Sequence, residues 1–291
     1  MTSIVANVAG DLSTVTGLIP EGADSHTFDP PPSAAETVSE ADVVFLNGLK
    51  LEEPTRDLAK SDLRAGAELV ELGNHAIAPS DYIYDFSFPR EGGRPNPHLW
   101  TSPPLARRFA RIVADTLDRH DPANRPGYEA NFERFAARVD ELDRAMVTAT
   151  ATVPAGQRRL LTYHDAYAYF ARQYGWKVVG AVQPSNFGEP TPREVAELIT
   201  QIRREKVPAI FGSEVFPSPV LAQIGRETGA RYVDVLRDDD LPGRPGAPGH
   251  SWLGLMRFDF VTMVSSLGGN PAALNAVSVS DTAPDHARYP Q

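Results

Sequence analysis

The 291-residue sequence contains no cysteine. Disulfides, thiolate metal centres and cysteine nucleophiles are therefore excluded, while periplasm and cytoplasm both stay open as compartments. No apolar run approaches the roughly 20 residues that a membrane-spanning helix needs. No signal-peptide pattern precedes the first apolar segment, Ser3-Ile4-Val5-Ala6, so we expect a mature form whose export signal has been removed. Basic residues are the minority, 28 Lys and Arg against 38 Asp and Glu, for a net charge of -10. Nucleic acid and anionic membrane surfaces reward basic patches and are disfavoured partners. A cationic ligand meets no such repulsion. With 42% hydrophobic residues the chain can bury a real core, and its length suits two medium domains.

Proline, by contrast, is abundant at 26 residues, clustered at Pro30 to Pro32, Pro103-Pro104, Pro217 to Pro219 and Pro242 to Pro248. Such clusters mark loops between elements. Ser3 to Ala6 and the alternating stretch Gly10 to Pro20 read as two strands. After them come a short helix over Ser33 to Val38, a buried-type strand Ala41 to Gly48, a helix over Leu51 to Leu63 and a strand Glu68 to Leu72. From Asn74 to Pro97 no period is visible, and a surface loop of that length is expected to be functional or mobile. A helix then runs from about Pro104 to Arg119, and a longer one follows Asp121-Pro122. Tyr128, Phe132, Phe135, Val139, Leu142 and Met146 form one apolar stripe on the longer helix. At 1.5 Å per residue it spans roughly 40 Å, enough to run along two lobes.

Strand and helix alternate again in the second half. Strands are expected at Leu160 to Tyr163, Lys177 to Val182, Ala209 to Gly212 and Arg231 to Leu236. Helices are expected at His164 to Tyr174, from the capping box Thr191-Pro192-Arg193-Glu194 to about Arg204, at Ser218 to Thr228 and at Ser251 to Leu267. The tail beyond is polar and poorly patterned. The fold class is therefore α/β, with two lobes, each holding a mainly parallel sheet flanked by helices, joined by one long rigid helix. The boundaries read as an N-terminal lobe over 1–121, a linking helix over 122–150 and a C-terminal lobe over 151–291.

Three histidines sit in loaded contexts: His26 in Asp-Ser-His-Thr-Phe, His98 in Asn-Pro-His-Leu-Trp, and His164 where an apolar strand gives out. Strand carboxyl ends are where open α/β sheets bind ligands. Their separation of about seventy residues rules out a local zinc finger and requires a site assembled by the fold. His75, His120 and His286 read as ordinary solvated histidines. Three neutral imidazoles and one carboxylate make a tetrahedral set for a metal such as zinc. Glu214 and the run Asp238-Asp239-Asp240 are the candidate fourth ligands.

Four ordered segments, Gly22 to Pro30, Ala41 to Gly48 with Leu51-Glu52, Asn96 to Trp100 and Tyr163 to Phe170, resemble the signatures of the zinc- and manganese-binding substrate-binding proteins of bacterial ABC transporters. The resemblance covers nearly the whole chain. It implies a metal held in the cleft between the lobes, with His26 and His98 from the first, His164 from the second, and an aspartate after the last strand. Asp239, in Asp239-Asp240-Leu241, fits that aspartate, with Asp238 one residue away. In such a family a histidine at the third position, where manganese members carry glutamate, points to a zinc-type member. Two departures stand out: the first strand is shortened at Met1, and a histidine-rich loop is lacking, since Asn74 to Pro97 holds only His75.

The expected function is that of an extracytoplasmic, periplasmic receptor, monomeric and not an enzyme. It binds Zn2+ as transported ligand, takes it free or from a metal-delivering protein, and presents it to an ABC permease. A manganese receptor of the same family is the near alternative. A zinc metallohydrolase, with Asp165 or Glu214 as base, and a receptor for a chelated metal are the more distant ones.

Overall fold

In the computed structural model, residues 1–183, 190–213 and 219–291 are described. Glu214 and the start expected for the Ser218 helix lie outside them. The chain opens with helix α1 (Thr2–Ala9) and not with a strand. Ile4, Asn7, Val8 and Ala9 are fully buried and Ser3, Val5 and Ala6 nearly so, so the segment is buried all round. A short apolar run carries no period that separates a strand from a buried helix. Gly10 to Pro20 is likewise not a full strand. A 3-10 turn takes Gly10–Leu12, and only an isolated parallel bridge, Thr16 to Arg288, gives the remainder strand character.

Next come α2 (Pro32–Glu40), β1 (Val43–Leu46), α3 (Glu53–Asp62), β2 (Glu68–Glu71) and α4 (Leu72–Ala76). β1 and β2 pair in parallel, Val43 opposite Glu68 through Leu46 opposite Glu71. The stretch from Asn74 to Pro97 is only partly a surface loop, because Phe88 and Asn96 are buried within it. α5 (Pro103–His120) leads to α6 (Arg125–Thr152), the linking helix. Tyr128, Phe135, Val139, Leu142 and Met146 on its stripe are fully buried and Phe132 is 3% exposed, as the spacing predicts.

The second domain contains β3 (Arg159–Thr162), α7 (Ala168–Tyr174), β4 (Lys177–Ala181), α8 (Pro192–Glu205), β5 (Ala209–Ser213), α9 (Pro219–Thr228), β6 (Arg231–Leu236), α10 (Trp252–Ser266) and α11 (Ala272–Asn275). Its four strands lie in the order β4-β3-β5-β6, all in parallel. The Thr191 capping box is present, with Thr191 Oγ1 accepting from the Glu194 amide and Glu194 reaching back to the Thr191 amide. α7 begins at Ala168, four residues later than the sequence suggests. The carbonyls of Asp165 and Ala166 instead accept bonds from Asn96 and Thr101 across the interdomain cleft. Using those acceptors there leaves His164 on a turn between β3 and α7, aimed at the first domain. Two parallel-sheet domains flanked by helices, with a long helix between them, are thus the architecture. Among the described residues no helix is long and apolar enough to cross a membrane.

Candidate metal centre

His26, His98 and His164 converge. Nε2 of His26 lies 3.1 Å from Nε2 of His98 and 3.1 Å from Nε2 of His164, and the last two are 2.8 Å apart. Among the described residues they form the group whose ligand atoms lie within one ion's reach. His98 and His164 are buried, at 1% and 7% exposure, and His26 is partly so.

Each ring has its own support. His98 follows Pro97, whose carbonyl accepts from Asn47 Nδ2 at 2.9 Å. Asn47 and Gly48 in turn donate their amides to the buried Glu52 carboxylate. This explains the Asn-Gly and Leu-Glu pairs of the sequence, which form the shelf under the His98 loop. Asn96 Oδ1 faces His98 Nδ1 at 2.8 Å, while its Nδ2 donates to Asp85 Oδ2 and to the Asp165 carbonyl. Those two acceptors fix the orientation of the amide, so its oxygen is the atom that meets the imidazole.

Gln183 Oε1 stands 2.7 Å from His164 Nδ1. An amide oxygen only accepts, so both Nδ1 atoms carry a proton, and in the neutral rings both Nε2 atoms are then bare lone pairs. Bare nitrogens at 2.8 Å cannot hydrogen-bond to one another. A cation between them turns that repulsion into coordination, and outer partners of this kind are what orient metal-binding imidazoles.

Burial is the main cause holding the His26 and His98 rings well below the ordinary imidazole range, and charge on His164 adds to it. Neutral rings at physiological pH are the ligating form. Phe88 covers the cluster, stacked on His26 at 6.0 Å and edge-on to His98 at 5.8 Å. Trp100 lies 5.0 Å from the His98 ring and donates its indole N–H to the Asp238 carbonyl.

The acidic run divides by position. Asp239 is exposed and accepts from Ser25 Oγ at 2.9 Å, and Asp240 accepts from the Gly22 amide, so both hold the His26 loop. Asp238 is 4% exposed, and burial raises its carboxyl to about 7 against the opposing pull of His164. Asp165 is buried beside Asp85, and burial, then that neighbour's charge, push its carboxyl well above the usual range. A cavity of about 920 Å³ lies against α1 and β1, but none of the three imidazoles lines it, and a bare ion needs no such volume.

Gln183 and Phe88 were not singled out by sequence, and Asn47, Glu52 and Asn96 lay in the resembling segments with no role assigned. Asn96 had a signal, an amide two residues before a histidine. Gln183 follows from the β3–β4 register, since Thr162 pairs with Ala181 and two more residues on each strand reach His164 and Gln183.

The family model for the periplasmic component A of a zinc-uptake complex matches residues 1–266. The chain is 30% identical to the iron-binding protein YfeA of Yersinia pestis over 265 residues, 91% of this chain and 83% of that protein. It is 27% identical to the manganese-binding lipoprotein MntA of Halalkalibacterium halodurans, over 91% of this chain and 84% of that one. Among solved structures, the periplasmic zinc-binding protein TroA of Treponema pallidum superposes with a TM-score of 0.82 at 25% identity, covering 91% of this chain and 95% of that chain. A Mn-bound periplasmic metal-binding protein of Candidatus Liberibacter asiaticus gives 0.80 at 26% identity, covering 91% of this chain and 96% of that chain. With this match over nearly its whole length and a cleft that gathers three metal-ready imidazoles, the chain belongs to the ZnuA family of periplasmic metal-binding proteins that serve ABC transporters as substrate-binding components, and it is not an enzyme.

Proposed function

We propose that the transported metal is zinc, held by His26, His98, His164 and one carboxylate of the acidic run, and handed from the cleft to the permease of the ABC transporter. The observation that carries this reading is the trio of Nε2 atoms 2.8–3.1 Å apart, two of them stripped of their protons by Asn96 and Gln183. Nitrogens bound to one zinc at 2.0–2.1 Å and tetrahedral angles lie about 3.3 Å apart, so a slight opening of the trio admits the ion. Three nitrogens and one oxygen suit zinc better than manganese, which prefers oxygen donors.

For the carboxylate, sequence points to Asp239. Burial and the electrostatic influence of His164 favour Asp238, since Asp239 is engaged by Ser25. Four protein ligands close the coordination sphere, as a carrier requires and a hydrolase does not.

Competitive titration of the metal-free protein tests the assignment. Zinc should displace manganese and ferrous iron at equal concentration, and should itself bind one to one. Preferential retention of manganese would transfer the chain to the second reading, a manganese receptor, for which the manganese-named relative speaks.

A further inference from the structure

Residues after 266 lie beyond the family match, yet they are not loose. From α10 the chain turns through α11 along the linking helix, burying Leu274 and Val277. There Arg138 and Arg134 of α6 donate to the carbonyls of Ser278 and Thr282. The tail then reaches α1, where Asn7 donates its side-chain amide to Asp281 and accepts from the Thr282 amide.

Its last residues run beside Val15 to Glu21 in the first domain. Arg288 N–H donates to the Val15 carbonyl at 3.0 Å, Gly17 N–H to the Arg288 carbonyl at 2.8 Å, and Glu21 N–H to the Pro290 carbonyl at 3.1 Å. The fit is close at Gly17, where a Cβ would stand 3.0 Å from both Pro290 Cδ and Thr2 Oγ1. Three backbone bonds thus fix residues 15–21, and His26 follows five residues later on a loop whose other anchors are Asp239, Asp240 and its own Asp24.

We infer that the C-terminal tail is a positioning strap for His26: by pairing with Val15 to Glu21 it holds the base of the His26 loop and thereby slows metal release. The inference rests on His26 being a ligand in the proposed site. The other anchors hold the loop further along, Asp240 at Gly22, Asp239 at Ser25, Asp24 at the His26 amide and Phe88 against the His26 ring, so without the strap the base of the loop loses its three backbone bonds. A ligand loop that occupies its competent position one-tenth of the time weakens apparent affinity about tenfold.

The test loads full-length protein with zinc alone and follows release into excess chelator for the unaltered chain, a chain ending at Asp285, Arg288→Pro, Arg288→Ala and His26→Ala. The shortened chain and Arg288→Pro, which lacks the donating N–H, should release zinc about tenfold faster. Arg288→Ala keeps the backbone pairing and should match the unaltered chain. Metal-free melting temperatures should agree among the variants, and only those without pairing should show faster amide exchange at Gly17 and Glu21.

Equal release from the shortened and unaltered chains overturns the strap, as does faster release from Arg288→Ala, which would place the effect in the side chain. If the shortened chain melts early, Arg288→Pro decides the matter, its unchanged release rate counting against the strap. Should His26→Ala hold zinc as the unaltered chain does, the reading of the site fails at that ligand, and the strap fails with it.

Discussion

The His98 side of the cleft and the acidic side are built to different standards of rigidity. Around His98 every support is itself supported: Asn96 is held by Asp85 and the Asp165 carbonyl, Pro97 by Asn47, and Asn47 and Gly48 by Glu52. Opposite it, the run Asp238 to Asp240 opens a loop in which Gly243, Gly246 and Gly249 all take positive φ and Asp238 itself sits at 37°. Left-handed backbone at a residue with a side chain costs about 1–2 kcal/mol and persists only where its surroundings hold it. One wall is a preformed nitrogen surface; the other is a segment that can be reset. In the proposed site the nitrogen wall would set which class of metal enters, and the acidic wall how tightly the coordination closes.

Removing a nitrogen from the trio should have the largest effect. His98→Ala or His164→Ala is expected to weaken zinc by more than about 100-fold, beyond what loss of an outer partner costs. Calorimetry that still finds tight one-to-one binding in either variant would break the contrast at its root. On the acidic wall, Asp238→Asn should cost more affinity than Asp239→Asn, by about tenfold, because a charged ligand is lost in one case and a loop contact in the other. The reverse order would make Asp239 the ligand and Asp238 a buried prop.

Asn96→Ala and Gln183→Ala should each fall in the range of about 10–100-fold, the usual cost of an outer-shell partner. Since Asn96 also joins the two domains, its removal is expected at the upper end, with a lowered melting temperature that Gln183→Ala lacks.

The smallest effect is one of protons. Asp238 is held near 7, whereas His26 and His98 are pulled below their ordinary range. Zinc needs the ionised carboxylate, so affinity should rise with pH up to about 7 and level off above it, binding at pH 6 releasing close to one proton. Titration in buffers of different ionisation enthalpy measures that release, and Asp238→Asn should abolish it. A slope unchanged in that variant would assign the proton to Asp239, whose carboxyl burial also raises to about 7, or to an imidazole, and Asp239→Asn separates the two.

Sequence pattern carried the alternation of strands and helices, the linking helix with its stripe, and the three imidazoles, because each depends on local period or on a proline-bounded motif. It failed where the deciding partner is distant. Thr2–Ala9 looks like a strand because burial on every side erases the helical period. Asp239 and Asp238 are chemically identical neighbours, and only the fold shows that one meets Ser25 and the other lies buried. Gln183 reaches His164 through strand register, which no spacing along the chain displays. The tail, polar and without period, is ordered by backbone bonds to Val15, Gly17 and Glu21, and backbone bonds leave no mark on composition.

Trp100 touches both walls, its ring against His98 and its N–H on the Asp238 carbonyl. Of the three tryptophans, it is thus placed where an ion's arrival would alter both a neighbouring imidazole and the field along the indole. Filling of the cleft is therefore expected to change the intrinsic fluorescence, which would report occupancy with no label attached.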